Sequence, residues 1–323
     1  MALNFVFLTL LALASANPLN GFRDPDSYEV LEGADQPASY EEFVSMINTT
    51  EIHHPKISEL VFGGQYAQPG NFPFQVFISY AKRDGRYYQC GGSLLSPTHV
   101  LTACHCTIDM IAPAKIMVGN VHLRGRNQNT QWSNVQRIYN HPNYRQGNPS
   151  YLYDIAILEI NPVQLNQAVR LTRFTANDQQ LRATGSAIIS GFGTYTFQGN
   201  EPVSSENLLY SQLQIYNNNY CKSQWERFTG GRSTVTPSQM CAGGQGRGSG
   251  PGDSGGPLSV NTQNGLIQVG LVSFGPMDPR IMAYQQDQFP AVFTRVGAHC
   301  DFIQHYSRQT ARCLSQCSFL VKY

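Results

Sequence analysis

Gly252-Asp253-Ser254-Gly255-Gly256-Pro257-Leu258 is the stretch from which the rest of the chain can be read. It sets one serine among three glycines, so backbone N–H groups can approach whatever the hydroxyl attacks without a Cβ in the way. A serine hydroxyl is a poor nucleophile until a base takes its proton during attack. Two further stretches offer the partners, in the order base, carboxylate, nucleophile. Leu101-Thr102-Ala103-Cys104-His105-Cys106 carries His105, and Asp154-Ile155-Ala156-Ile157-Leu158 opens on Asp154. An imidazole can take the serine proton and later hand it to a leaving amine, while a buried carboxylate fixes the imidazole tautomer and stabilises the imidazolium. A lone histidine is more often structural; the three stretches together, in this order, point to acyl transfer. The candidate roles are Ser254 as nucleophile, His105 as base and Asp154 as its orienting carboxylate. The amides of Gly252 and Ser254 would bind the oxyanion, each such donor being worth about 3 kcal/mol in the transition state.

Outward from these stretches, residues 61 onward read as short apolar runs cut by Gly, Pro and Asn. Examples are Phe74–Ile78, Ile116–Val118, Ile155–Leu158 and Ala187–Ile189. Many short strands without intervening helical patterns predict an all-β domain. Only about 298–308 reads as helix, and no fixed-period repeat is present.

The N-terminal region differs. Phe5 to Ala14 is apolar, and Ala14-Ser15-Ala16 is a small-x-small cleavage pattern, so residues 1–16 are expected to be a signal peptide and the chain secreted, extracellular. Residues 17–60 hold nine acidic side chains against two basic ones and no cysteine. Ser39-x-x-Glu42, followed by Phe43, Val44 and Ile47, suits a short capped helix as well as a solvated acidic tail. The formal net charge of +1 gives no reason to expect nucleic acid as a partner, and no run is long enough for a membrane span. Eight cysteines fit an oxidising compartment. A metal site is not expected, since Cys104-His105-Cys106 is too compressed to give one ion three ligands and Cys313-x-x-x-Cys317 has no nearby histidine. No cofactor is expected.

From Val61 to Tyr306 the chain resembles the chymotrypsin/trypsin family of serine proteases. The three stretches above carry the resemblance, together with Pro69-Gly70-Asn71-Phe72-Pro73-Phe74-Gln75-Val76, Cys90-Gly91-Gly92-Ser93-Leu94 and Ser190-Gly191-Phe192-Gly193. The fold it implies is two six-stranded antiparallel β-barrels with a C-terminal helix, the active site lying between them. Phe72, Phe74, Phe192, Phe274 and Phe302 stand where the family usually has Trp, a change that keeps an apolar ring. The domain reading is then 1–16 signal peptide, 17–60 acidic propeptide, 61–306 peptidase domain and 307–323 a Cys-containing tail.

The resemblance implies disulfides Cys90–Cys106 and Cys221–Cys241. A third family bridge is absent at both ends: Gly250 stands at one, and no cysteine lies between Phe274 and Pro290. Cys104, Cys300, Cys313 and Cys317 remain, and two further bridges among them are expected, with the tail linked back onto the domain. No Asp or Glu lies between Met110 and Tyr153 to supply the family's calcium loop. Where the family places an Asp to attract Lys or Arg, this chain has Gly248. With Gly275 and Ala291 as walls, the resemblance implies an open, uncharged specificity pocket suited to large apolar side chains. The segment 276–289 is longer than usual, and Asp278 or Asp287 folding into the pocket would favour Lys or Arg instead.

Family spacing places the mature N-terminus at Val61. Cleavage between Leu60 and Val61 would free an ammonium to pair with Asp253. Leu60 fits an apolar pocket, so self-activation is a reading to test, and the cysteine-free prosegment is expected to leave. Asn48-Thr49-Thr50, a glycosylation acceptor, lies within it. Expected partners are protein or peptide substrates and proteinaceous inhibitors, acting on a monomer. The alternative is a catalytically silent homologue serving as a binding module or protease cofactor.

Overall fold

A computed structural model describes residues 29–31, 62–145 and 149–314. The signal peptide, the Ser39–Glu42 capping pattern, Asn48, Leu60, Val61 and Cys317 lie outside the described residues. In chain order the strands begin with β1 (Glu29–Val30), β2 (Gln65–Tyr66), β3 (Gln75–Lys82), β4 (Tyr87–Ser96), β5 (His99–Thr102), β6 (Met110–Val118), β7 (Gln131–Asn140) and β8 (Ala156–Ile160). They continue with β9 (Ser186–Gly191), β10 (Thr194–Gln198), β11 (Glu201–Ser204), β12 (Leu209–Tyr216), β13 (Gln239–Gly243), β14 (Pro257–Thr262), β15 (Gly265–Phe274) and β16 (Ala291–Arg295).

Strands β3-β4-β5-β8-β7-β6 close one six-stranded antiparallel barrel, and β9-β12-β13-β16-β15-β14 close a second. The expected all-β, two-barrel architecture is what the chain adopts. Val76, Ile78, Ile116 and Leu158 belong to the first core, and Leu213, Val260, Val269 and Phe293 to the second. A third cluster, with Leu101, Tyr139, Ile155, Leu271 and Phe302, combines residues of both barrels with the C-terminal helix. Burying such a side chain contributes about 1.5–3 kcal/mol, so this shared layer holds the barrels in fixed register and with them the loops that meet between them. Phe72, Phe74 and Phe192 are buried in one further cluster, filling with phenyl rings the positions the resemblance assigns to Trp.

The C-terminal helix is Cys300–Tyr306, preceded by a 3-10 turn at Val296–His299, close to the predicted bounds. A second helix, Asn218–Thr229, was not expected from the pattern. Its side chains bury only Cys221 and Trp225, one turn apart, too narrow a stripe to read as an amphipathic period. Its ends obey local rules all the same. The Asn217 side chain accepts the N–H of Asn219, and Gly230 terminates it in the left-handed conformation at φ 61°.

Part of the acidic segment is a member of the first sheet. β6 pairs with β7 only over Gln131–Asn134 and leaves the same edge open further along β7. Residues 29–31 take that edge: Glu29 pairs with Ile138, Val30 with Arg137, and the N–H of Leu31 donates to Gln136 O at 3.1 Å. Leu31 is buried in the first core beside Met110 and Ala114 in the same cluster. Residues 29–31 are therefore seated on the first barrel by a strand and an apolar side chain. Leu31→Ala should lower the stability of the uncut chain by about 2 kcal/mol. Its melting temperature should drop by a few degrees, while a chain beginning at Val61 is unaffected by definition. An unchanged melting temperature would mean that β1 contributes nothing in solution.

Among the described residues three disulfides form: Cys90–Cys106, Cys221–Cys241 and Cys300–Cys313. The last ties residue 313 back onto the helix, in the sense expected for the tail. The expectation of a bridge from Cys104 is corrected: this cysteine is free and fully buried. Its S–H donates to the Ile155 carbonyl at 2.9 Å, and burial, helped by the Asp154 charge, holds the thiol well above its usual range.

Candidate active site

β5 ends at Thr102, and a short helical turn, Cys104–Thr107, carries His105 forward from the first barrel. Asp154 stands just before β8, which is hydrogen-bonded to β5, so the barrel register itself brings the two side chains together. His105 Nδ1 lies 2.8 Å from Asp154 Oδ2, and the His105 backbone N–H donates to Asp154 Oδ1 at 2.9 Å. Asp154 is completely buried, whereas His105 is partly exposed. This two-point hold leaves Nε2 as the ring nitrogen facing away from the carboxylate.

Ser254 comes from the second barrel, on the turn before β14. Its carbonyl accepts the N–H of Gly91 at 2.7 Å and lies 3.6 Å from Cys106 Sγ, which is itself 3.9 Å from His105 Nε2. The Cys90–Cys106 bridge thus packs between the histidine turn and the serine turn. Because those two sulfurs are bonded to each other, they are not thiolate ligands for an ion beside His105, although the three groups cluster.

The turn around Ser254 depends on its glycines in two places. Gly252 sits at φ 90°, and a Cβ there would collide with the Gln89 side-chain amide. Gly255 sits at φ 73°, and a Cβ there would collide with Thr102 Oγ1. Between them Asp253 points inward and is 1 % exposed. Its carboxylate accepts N–H groups from Gly193 at 2.9 Å and Gly250 at 3.0 Å. Burial pushes its pKa up to about 7 against the pull of those two amides, and no cation among the described residues pairs with it.

A family model described as trypsin matches residues 61–303. The chain belongs to the trypsin family. Chymotrypsin-C of Mus musculus is 34% identical over 77% of this chain and 90% of its own length. Chymotrypsin-like elastase family member 1 of Rattus norvegicus is 30% identical over 78% and 91%. Chymotrypsin-like elastase family member 3A of Homo sapiens is 32% identical over 76% and 88%. The chain is a trypsin-family serine endopeptidase. No helix among the described residues is long and apolar enough to cross a membrane.

Within this trypsin-family framework the lost third disulfide has a local explanation. A Cβ at Gly250 would lie 3.0 Å from Thr194 Cβ and 3.1 Å from a ring carbon of Phe62. Phe62, buried and stacked on Phe197, fills the space beside that residue. Of the expected pocket residues, Gly275 and Ala291 are neighbours, a Cβ on the first lying 3.6 Å from that of the second. Gly248 does not face open space, because the Gln286 side chain packs directly on it. Of the two acids of the long segment, Asp278 does not take that place: it caps the helix Pro279–Tyr284 by accepting from Arg280 N and Ile281 N. Asp287 directly follows Gln286, and its Oδ1 is buried without a hydrogen-bond partner among the described residues.

Three residues of the site escaped the sequence reading: Ser273, Tyr151 and Gln286. Ser273 Oγ donates to Asp154 Oδ2 at 2.6 Å, and Thr294 Oγ1 to the Asp154 carbonyl at 2.8 Å, so the second barrel helps to hold the carboxylate of the first. Tyr151 stacks on Phe274 with ring centres 5.3 Å apart and meets the His105 ring edge-on at 5.9 Å. For Ser273 the available signal was a small polar residue directly before Phe274, at the end of the strand that leads into Gly275. Ser273→Ala leaves one carboxylate oxygen short of a donor, which typically costs about 1–3 kcal/mol. We expect kcat to fall about tenfold with KM unchanged, measured on a peptide substrate. A loss confined to KM would show that Ser273 serves the pocket instead.

Proposed function

We propose that the chain is a secreted zymogen whose cut form hydrolyses peptide bonds after apolar residues through His105, Asp154 and Ser254. The single observation that carries this reading is the double hold of Asp154 on His105 with the Ser254 turn packed beside it. In the mechanism, His105 Nε2 takes the Ser254 proton as Oγ attacks the peptide carbonyl. The amides of Gly252 and Ser254 receive the oxyanion. The imidazolium, held in one orientation by Asp154, then protonates the departing amine, and water repeats the sequence on the acyl-enzyme.

Activation by cleavage between Leu60 and Val61 would supply the ammonium that buried Asp253 lacks. The substrate side chain before the scissile bond would enter between Gly275, Ala291 and the Gly248 region, where the neutral Gln286 amide packs on Gly248. Secretion rests on the apolar start of the chain and its cleavage pattern, and agrees with three disulfides among the described residues. The test is labelling of the cut protein with a fluorophosphonate probe. A single adduct at Ser254 is expected. An unlabelled protein with an N-terminus at Val61 would mean a silent homologue that binds and does not cut.

A further inference from the structure

Gly248 reads, in the sequence, as an empty floor. In the structure two glycines make room for one side chain from the long segment. A Cβ on Gly248 would fall inside the Gln286 amide, and a Cβ on Gly243 would strike the Gln286 backbone carbonyl. Gln286 is completely buried. Its Oε1 accepts the Ser249 N–H at 3.2 Å, and its Nε2 donates to the carbonyls of Ser249 at 2.8 Å and Met282 at 2.9 Å. Both amide protons and one acceptor site are therefore used within the protein. The helix Pro279–Tyr284 supports this arrangement. Its Asp278 cap fixes the start, Met282 is buried beneath it, and Gln288 and Phe289 donate backbone N–H groups to the Gln285 carbonyl. An amide so tied is a fixed, uncharged block, not a side chain free to swing out for a substrate.

We propose that Gln286 forms the floor of the specificity pocket beside Ser254 and makes it short as well as neutral, selecting Leu- or Met-sized side chains over Tyr, Lys and Arg. This rests on the reading that the pocket bounded by Gly275 and Ala291 receives the residue before the scissile bond. The extra depth that a glycine at 248 would leave is occupied by the terminal amide of Gln286, so a long ring or a long cation meets a solid base. On that base a cation meets a neutral amide in place of a counter-charge that could replace its hydration. The residue before Val61 is Leu60, whose size matches such a pocket.

The test is a panel of peptide substrates differing only in the residue before the scissile bond, Leu, Met, Phe, Tyr, Lys or Arg, cut by the enzyme starting at Val61. For the wild type, kcat/KM for Leu or Met should exceed that for Tyr by about tenfold, the scale on which small changes of fit discriminate. Gln286→Ala deepens the pocket and should raise the Tyr:Leu ratio at least about tenfold. Gln286→Met keeps the length without the hydrogen bonds and should leave that ratio low. Gln286→Asn, one methylene shorter and still an amide, should give an intermediate rise, and so tests the same point if the Ala variant fails to fold. A Tyr:Leu ratio unchanged in the Ala and Asn variants, or raised equally in Met, overturns the role of Gln286. A wild type that does not discriminate among the six substrates is a different failure, since it removes the pocket reading on which the role depends.

Discussion

Ser254→Ala in the cut enzyme should lower kcat by about five to six powers of ten and leave the fold unchanged. The size follows from the way such residues act as a unit: removing the nucleophile alone costs about as much as removing nucleophile, base and carboxylate together. The hydroxyl makes little of the local packing. The turn is held by its backbone, through Gly91 N to Ser254 O at 2.7 Å and Gly255 N to Val272 O at 2.8 Å, and by Asp253 beneath it. Circular dichroism and thermal unfolding should therefore match the parent while turnover drops to the level that oxyanion binding alone can support. Turnover within tenfold of the parent would remove Ser254 from the mechanism. The same variant, mixed as uncut protein with a trace of active enzyme, reports on self-activation, because it cannot cut itself. Trimming before Val61 would show that the enzyme accepts its own Leu60.

How much of this was legible beforehand depended on whether a residue's partners were near it in sequence. The all-β class was readable from short apolar runs such as Ile155–Leu158 cut by Gly, Pro and Asn, and the two barrels from the family resemblance. The candidate triad positions stand out in the sequence because each sits in a short run of distinctive residues. Gln286 was not readable, since its meaning comes from Gly248, 38 residues away, and a glycine looks alike whether it faces solvent space or another side chain. Ser273 was hidden for the same reason: its partner Asp154 belongs to the other barrel, 119 residues away. The unpaired state of Cys104 follows from burial against the Ile155 carbonyl, which no count of cysteines could reveal. Residues 29–31 were unreadable as a strand because the edge they fill exists only through the limited pairing of β6 with β7.

The uncut chain should lose stability as pH rises from about 4 to about 7, by a contribution that belongs to Asp253 and reverses sign on activation. In the uncut form burial raises the Asp253 pKa from 3.8 to about 7, so the folded state holds this proton more tightly than the unfolded state does. The contribution is fully present below about 4 and is lost as pH climbs toward 7, at up to about 1.4 kcal/mol per pH unit. Beyond about 7 both states are ionised and the slope from this group vanishes. If activation cuts before Val61, as proposed, the sign should change. A buried ammonium beside the carboxylate favours its ionised form, so the folded pKa should drop below the ordinary value. Stability from the pair is then present above that value and is lost only on strong acidification. Other carboxylates also titrate, so the measurement is a difference: thermal unfolding from pH 4 to pH 7 with Asp253 and with Asp253→Asn, both on the Ser254→Ala background to prevent self-cutting. In the uncut pair the advantage of Asp253 over Asn should shrink as pH rises. In the pair trimmed before Val61 it should persist or grow. Parallel curves in the uncut pair would mean that the buried carboxylate finds a cation before cleavage, and that activation works on something other than the charge of Asp253.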